Sequence, residues 1–179
     1  TFRTRARAYR TAFEQAFAKH GAQVSVYYAG KSFLSTAVVR WVREEGLCLD
    51  TASGGELALA LRGGMPGERI ALHGNNKSEA EIARAIRSGL GRVVADSVDE
   101  IKLIERVYAE LAAERVAEGE EPYPPVPVLI RITPGVHAST MTGGGEQNLI
   151  KIQRGEAEIS IIYTFNAYQV YTGKGELKV

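Results

Sequence analysis

Apolar positions along this chain switch between a helical and an extended period at regular intervals, and the switches predict its elements. Phe2, Ala6, Tyr9, Phe13 and Phe17 recur at helical spacing through an opening, TFRTRARAYR, that is rich in arginine and free of acid. Transit peptides share that composition, but the stripe runs on unbroken, so the segment reads as a folded amphipathic helix. The chain begins at Thr1 inside that helix, without a methionine, so a preceding segment is expected. Val24 to Phe33, VSVYYAGKSF, then drops the helical period and predicts a strand that opens at Gly30 and Lys31. Leu34, Ala37, Val38, Trp41 and Val42 restore it, predicting a helix that packs on a sheet and stops at Gly46.

The alternation continues. Leu47 to Ala52, LCLDTA, is the next predicted strand, and Ser53 with Glu56 forms an S-x-x-E capping box for a helix through Leu57 and Leu61, closed by Gly63 and Gly64. Arg69 to Leu72 and Arg92 to Ala95 read as a third and a fourth strand. Each is followed by another such box, Ser78 with Glu81 and Ser97 with Glu100. Apolar stripes come next: Ile82, Ala85 and Ile86 after the first box, then Ile101, Ile104, Tyr108 and Leu111 after the second. EGEEPYPPVP is a loop that no helix crosses, and Val126 to Ile132 follows as a fifth strand, apolar on both faces.

Apolar strands alternating with capped helices predict an α/β fold of βα units with a parallel sheet and right-handed crossovers. Two architectures repeat that unit, the open doubly wound sheet and the closed barrel. No G-x-G-x-x-G follows any strand, which favours the barrel. Five strands fall short of the barrel's eight, so the expectation is a partial (β/α) TIM-type barrel over residues 1–140. From Met141 onward Ile, Lys, Asn, Gln and Tyr replace arginine and alanine, and MTGGGEQN reads as a linker. Leu149 to Ile152 and Glu158 to Tyr171 have strand propensity, so 141–179 is expected to be a short β-rich C-terminal extension.

Composition removes several functions. With 22 basic and 21 acidic side chains the formal charge is +1, no footprint for nucleic acid. No apolar run is long enough to span a bilayer, so no membrane partner is expected. The single cysteine, Cys48, builds no disulfide framework and suits a reducing cytoplasm.

Reactive groups in such a barrel gather where the strands end. After the five strands in turn come Lys31; Asp50 with Ser53; His73, Asn75 and Asn76; Asp96 with Ser97; and Arg131 with Thr133 and His137. Ser53, Ser78 and Ser97 are helix caps first, His73 and its asparagines are a possible turn, and Asp50 and Arg131 are candidates for an ion pair across the mouth. Lys31 is the candidate nucleophile: an amine fixed at a strand mouth, and desolvated there, has a lone pair available to attack an aldehyde. The set would suit a cofactor carrying an aldehyde and a phosphate.

YYAGKSF, LDTASGGEL, HGNNKS, VVADSVDEI and VLIRITPGVHAST, in that order, resemble the first part of the diaminopimelate decarboxylases, pyridoxal phosphate enzymes of the alanine racemase-like barrel class. HGNNKS and RITPGVHA resemble this branch more than the ornithine or arginine decarboxylases. The resemblance implies PLP-dependent decarboxylation of meso-2,6-diaminopimelate to L-lysine and carbon dioxide, in the cytoplasm, by a homodimer whose partner is a small amino-acid substrate. It makes Lys31 the lysine that holds pyridoxal 5'-phosphate covalently, with Asp50 and Arg131 at positions around the cofactor and His73 and Asn75 on the rim. The family's three further strands, stacking histidine, glycine-rich phosphate loop, glutamate facing the pyridine nitrogen and C-terminal β-domain have no matching motif here. Gly143 to Gly145 reads as linker, because no apolar strand precedes it. Two other readings stay open: a module that binds pyridoxal phosphate without turnover, and a half-barrel that serves only in assembly.

Overall fold

The computed structural model describes residues 1–131. The expected linker, the β-rich extension, Thr133 and His137 lie outside the described residues. Of the described residues, 1–10 and 25–131 belong to one compact unit, and residues 11–24 group apart from it. The elements are α1 (Phe2–Ala18), β1 (Tyr27–Ala29), α2 (Thr36–Glu44), β2 (Cys48–Thr51), α3 (Gly54–Arg62), β3 (Ile70–Leu72), α4 (Glu79–Arg87), β4 (Arg92–Ala95), α5 (Val98–Ala117) and β5 (Val128–Ile130). Every predicted helix and strand within these residues is present, although β1 and β5 keep only three residues each.

The five strands are all parallel and lie in the order β1-β2-β3-β4-β5. A doubly wound sheet reverses its strand order at a switch point, whereas a barrel winds in one direction. This sheet does not reverse. It also curls: β1 and β4 are three strand spacings apart, about 14 Å if flat, yet the Arg92 guanidinium lies 4.8 Å from the centroid of the Tyr27 ring. Both side chains lean across a concave face, as in an arc of barrel wall.

Alternation along β2 sorts the two faces. Leu49 and Thr51 are fully buried toward the helices, while Cys48 and Asp50 stay partly open on the concave side. Leu49 joins Leu57, Ile70, Leu72, Ile82 and Ile86 in a core between sheet and helices. In α2 the buried stripe is Val38, Val39 and Val42. Trp41, expected in that stripe, is 40% exposed and packs against Phe2, 6.0 Å between ring centroids.

Two expectations need correction. Strand β5 is not buried on both faces: Val128 and Ile130 are 38% and 57% exposed. They pair in register with Val93 and Ala95, which point toward the helices, and among the described residues no helix follows β5 to cover them. Of the three S-x-x-E sequences, Ser78 with Glu81 alone makes a reciprocal box. Ser53 and Ser97 each accept from the glutamate's backbone N–H, but the carboxylates of Glu56 and Glu100 reach one residue further back, to the N–H groups of Ala52 and Asp96.

Candidate active site

Because the strands are parallel, their carboxyl ends share one edge, and the polar residues that follow them meet there. Asp50 lies in register with Ala29 on one side and Ala71 on the other. That places it beside the exits of β1 and β3, where Lys31 and His73 follow. Asp96 and Arg131 directly follow Ala95 and Ile130, which are also in register.

Gly30 brings Lys31 down onto its neighbours. A Cβ there would lie 2.9 Å from the Asp50 carbonyl oxygen and 3.1 Å from Glu56 Oε2, so the close approach needs glycine. Lys31 then sits on a single 3-10 turn, Gly30–Ser32. Ser32 Oγ donates to the Ala29 carbonyl at 2.8 Å and lies 3.0 Å from the Tyr28 hydroxyl, which donates to the Phe33 carbonyl at 2.7 Å. The turn is therefore braced on both sides of the lysine. The side chain of Lys31 is exposed, so the desolvation expected of it is not built by the described residues.

Asp50 Oδ1 is buried and makes no hydrogen bond; His73 Nε2 lies 3.3 Å from it. Burial raises the Asp50 carboxyl above its ordinary pKa, the charges of His73 and Lys31 oppose the rise, and the nearby Glu56 carboxylate adds to it. Asp50 thus feels Lys31, as the rim placement requires. The ion pair expected between Asp50 and Arg131 does not form. Arg131 directly follows β5, three strands from β2, and pairs with the residue beside it: Nε lies 2.8 Å from Asp96 Oδ1, without hydrogen-bond alignment, and Nη2 donates to Asp96 Oδ2 at 2.9 Å. Nη2 also donates to Asn75 Oδ1 at 2.6 Å. His73 and Asn75 therefore serve two different clusters, one around Asp50 and one around Arg131.

Three further residues join the rim. Glu56 and Glu100 read as caps in sequence, and Lys77 stands inside HGNNKS without a role of its own. In the structure Glu56 faces Gly30 and Asp50, while Lys77 and Glu100 form a buried pair 3.0 Å apart. The reach of the two carboxylates past the cap is a property of backbone geometry, which S-x-x-E spacing does not encode.

An exposed amine, a buried carboxylate oxygen that lacks a donor and a guanidinium fixed between two loops fit a cofactor with an aldehyde, a basic ring nitrogen or hydroxyl, and acidic oxygens. A parallel βα sheet that winds one way, with its polar residues gathered where the strands end, defines the class: part of a βα barrel with its site at the strand exits. The family described as "Pyridoxal-dependent decarboxylase, pyridoxal binding domain" matches residues 2–149, and the chain belongs to that family.

The chain is 42% identical over 139 residues to the diaminopimelate decarboxylase of Mycobacterium bovis, covering 78% of this chain and 27% of that protein. It is 43% identical to the Bacillus subtilis enzyme of the same name, covering 72% and 27%. Among solved structures, diaminopimelate decarboxylase of M. jannaschii in co-complex with L-lysine superimposes with TM-score 0.60 at 27% identity, over 86% of this chain and 31% of that one. The Helicobacter pylori enzyme complexed with L-lysine gives 0.56 at 25% identity, over 73% and 31%. The chain thus spans about a quarter to a third of the length of the relatives it matches.

Proposed function

We propose that residues 1–140 form the part of a diaminopimelate decarboxylase that holds pyridoxal 5'-phosphate on Lys31, and that the parent reaction is meso-2,6-diaminopimelate to L-lysine and carbon dioxide. The observation that carries this reading is Lys31 on its braced turn beside Asp50, in a chain 42% identical to enzymes of that name. When bound, pyridoxal phosphate supplies a conjugated cationic ring that takes up the electron pair left as carbon dioxide departs. Lys31 provides the covalent attachment and yields it to the substrate amine. Its released amine then stands where it can hold a proton for return to the same substrate carbon. Asp50, with an oxygen lacking a donor, is suited to accept from the cofactor, and His73 Nε2 stands 3.3 Å from that oxygen. Arg131, held by Asp96 and Asn75, offers its remaining donors to acidic oxygens. We also read the parent protein as a cytoplasmic homodimer, on its resemblance to the family.

The test is incubation with pyridoxal 5'-phosphate, borohydride reduction and peptide mapping. Label at Lys31, lost in Lys31→Ala, is the expected result; absence of label at Lys31 rejects the assignment. Release of carbon dioxide from meso-diaminopimelate, with ornithine and arginine as competing substrates, then tests the reaction and its specificity. Labelling with little or no turnover is expected of this chain alone.

A further inference from the structure

We propose that Lys77 is a positioning residue for Arg131, acting through its buried ion pair with Glu100; the proposal rests on the rim being a cofactor site. Lys77 lies in the loop after β3 and Glu100 in the first turn of α5, and they are only 5% and 7% exposed. The Lys77 ammonium donates to Glu100 Oε2 at 3.0 Å, to the Gly74 carbonyl at 2.7 Å and to the Val94 carbonyl at 2.5 Å. Its three protons are thereby used. The Glu100 carboxylate in turn accepts from the backbone N–H groups of Lys77 at 3.2 Å and Asp96 at 2.8 Å. One ion pair therefore fastens the backbone at four points, two after β3 and two at the end of β4.

Those two segments supply both partners of the Arg131 guanidinium. Asn75 lies between the fastened Gly74 and Lys77, and Asp96 is fastened by its own N–H. The loop after β3 is also a costly one to form: Gly74 has φ +100° and Asn76 has φ +56°, the latter unusual for a residue with a side chain. Apolar side chains could fill the same volume, and burying two charges is expensive. What the charged pair does and an apolar pair cannot is bind carbonyl and amide groups of both loops together.

The test uses the full chain with Lys77→Met/Glu100→Leu, which keeps the volume and strands no charge. With 15N-labelled arginine, the Nη–H signals of Arg131, identified by their loss in Arg131→Lys, are expected to exchange with water about tenfold faster in the double variant while unfolding stays cooperative. The dissociation constant for pyridoxal 5'-phosphate, read from the cofactor's absorbance, is expected to rise about tenfold, and to rise no further when the same change is made in Arg131→Lys. Wild-type exchange at Arg131 in a folded variant overturns the proposal, and so does an affinity loss fully additive with that of Arg131→Lys. If the unaltered chain binds no pyridoxal phosphate, the cofactor reading fails, and the exchange rate still decides the positioning role. Should the double variant not fold, Glu100→Gln is measured in the same way, with the same two outcomes.

Discussion

Two carboxylates of this fold are pushed in opposite directions, and each leaves a pH signature of opposite sign. Glu45, at the end of α2, accepts from Arg7 and Arg3, which hold its carboxyl down to about 2. Its contribution to stability is complete above its unfolded pKa of about 4.5 and is lost as pH falls toward 2. Asp50 is raised by burial, so the folded state binds its proton more tightly than the unfolded chain does. Its contribution is present below the unfolded value and is lost as pH rises through the folded one. Thermal unfolding followed between pH 3 and 7 is therefore expected to show Glu45→Gln less stable than the unaltered chain at neutral pH, with the gap narrowing in acid. Asp50→Asn is expected to be as stable or more stable at pH 7, with the gap vanishing in acid, and to lose cofactor affinity. A destabilised Asp50→Asn at pH 7 would show that the carboxylate serves stability more than the site.

At the scale of elements, close backbone crossings decide which glycines matter. Gly67 stands where the 3-10 turn before β3 meets the loop before β4; a Cβ there would fall 1.9 Å from the Ser88 carbonyl oxygen. Gly55, in the first turn of α3, would place its Cβ no closer than 3.9 Å to anything outside its own helix backbone. Gly67→Ala is expected to cost about 1–3 kcal/mol or more through the forced shift, and Gly55→Ala to gain about 0.5 kcal/mol from helix propensity. Urea titration of the two variants separates them. This contrast also marks what the sequence makes legible. The helices, strands and caps follow from side-chain period and from Ser at the helix starts, which are local properties. Local reading fails where a second element intervenes, as when Trp41 leaves its stripe because Phe2 meets it, and where backbone geometry chooses among near neighbours, as when Glu56 and Glu100 reach past their caps to the preceding N–H. Lys31, Asp50, His73, Asn75 and Arg131 are legible as rim residues because each lies at or just past the carboxyl end of a strand. Their pairing is not legible, since Arg131 and Asp96 become neighbours through sheet register between segments 35 residues apart.

For the sheet as a whole, winding in one direction has a consequence at its last strand. Each earlier strand is followed by a helix that covers its outer face, and Leu49, Ile70, Leu72, Val93 and Ala95 are accordingly no more than 1% exposed. Val128 and Ile130 continue that apolar layer into β5, where the cover among the described residues ends. The same chemistry therefore has opposite energetic weight at the two places. Leu72→Ala is expected to cost about 2–5 kcal/mol, while Ile130→Thr stays within about 0.5 kcal/mol of the unaltered chain. What Ile130 contributes instead is an apolar strip on a strand that is, among the described residues, the edge of the sheet, a surface that favours association between copies. Sedimentation at rising concentration is expected to show self-association that Ile130→Lys reduces without lowering the unfolding midpoint. If Ile130→Lys unfolds the chain, the outer face of β5 is part of the core after all, and the arc of barrel wall closes on itself more fully than its exposure indicates.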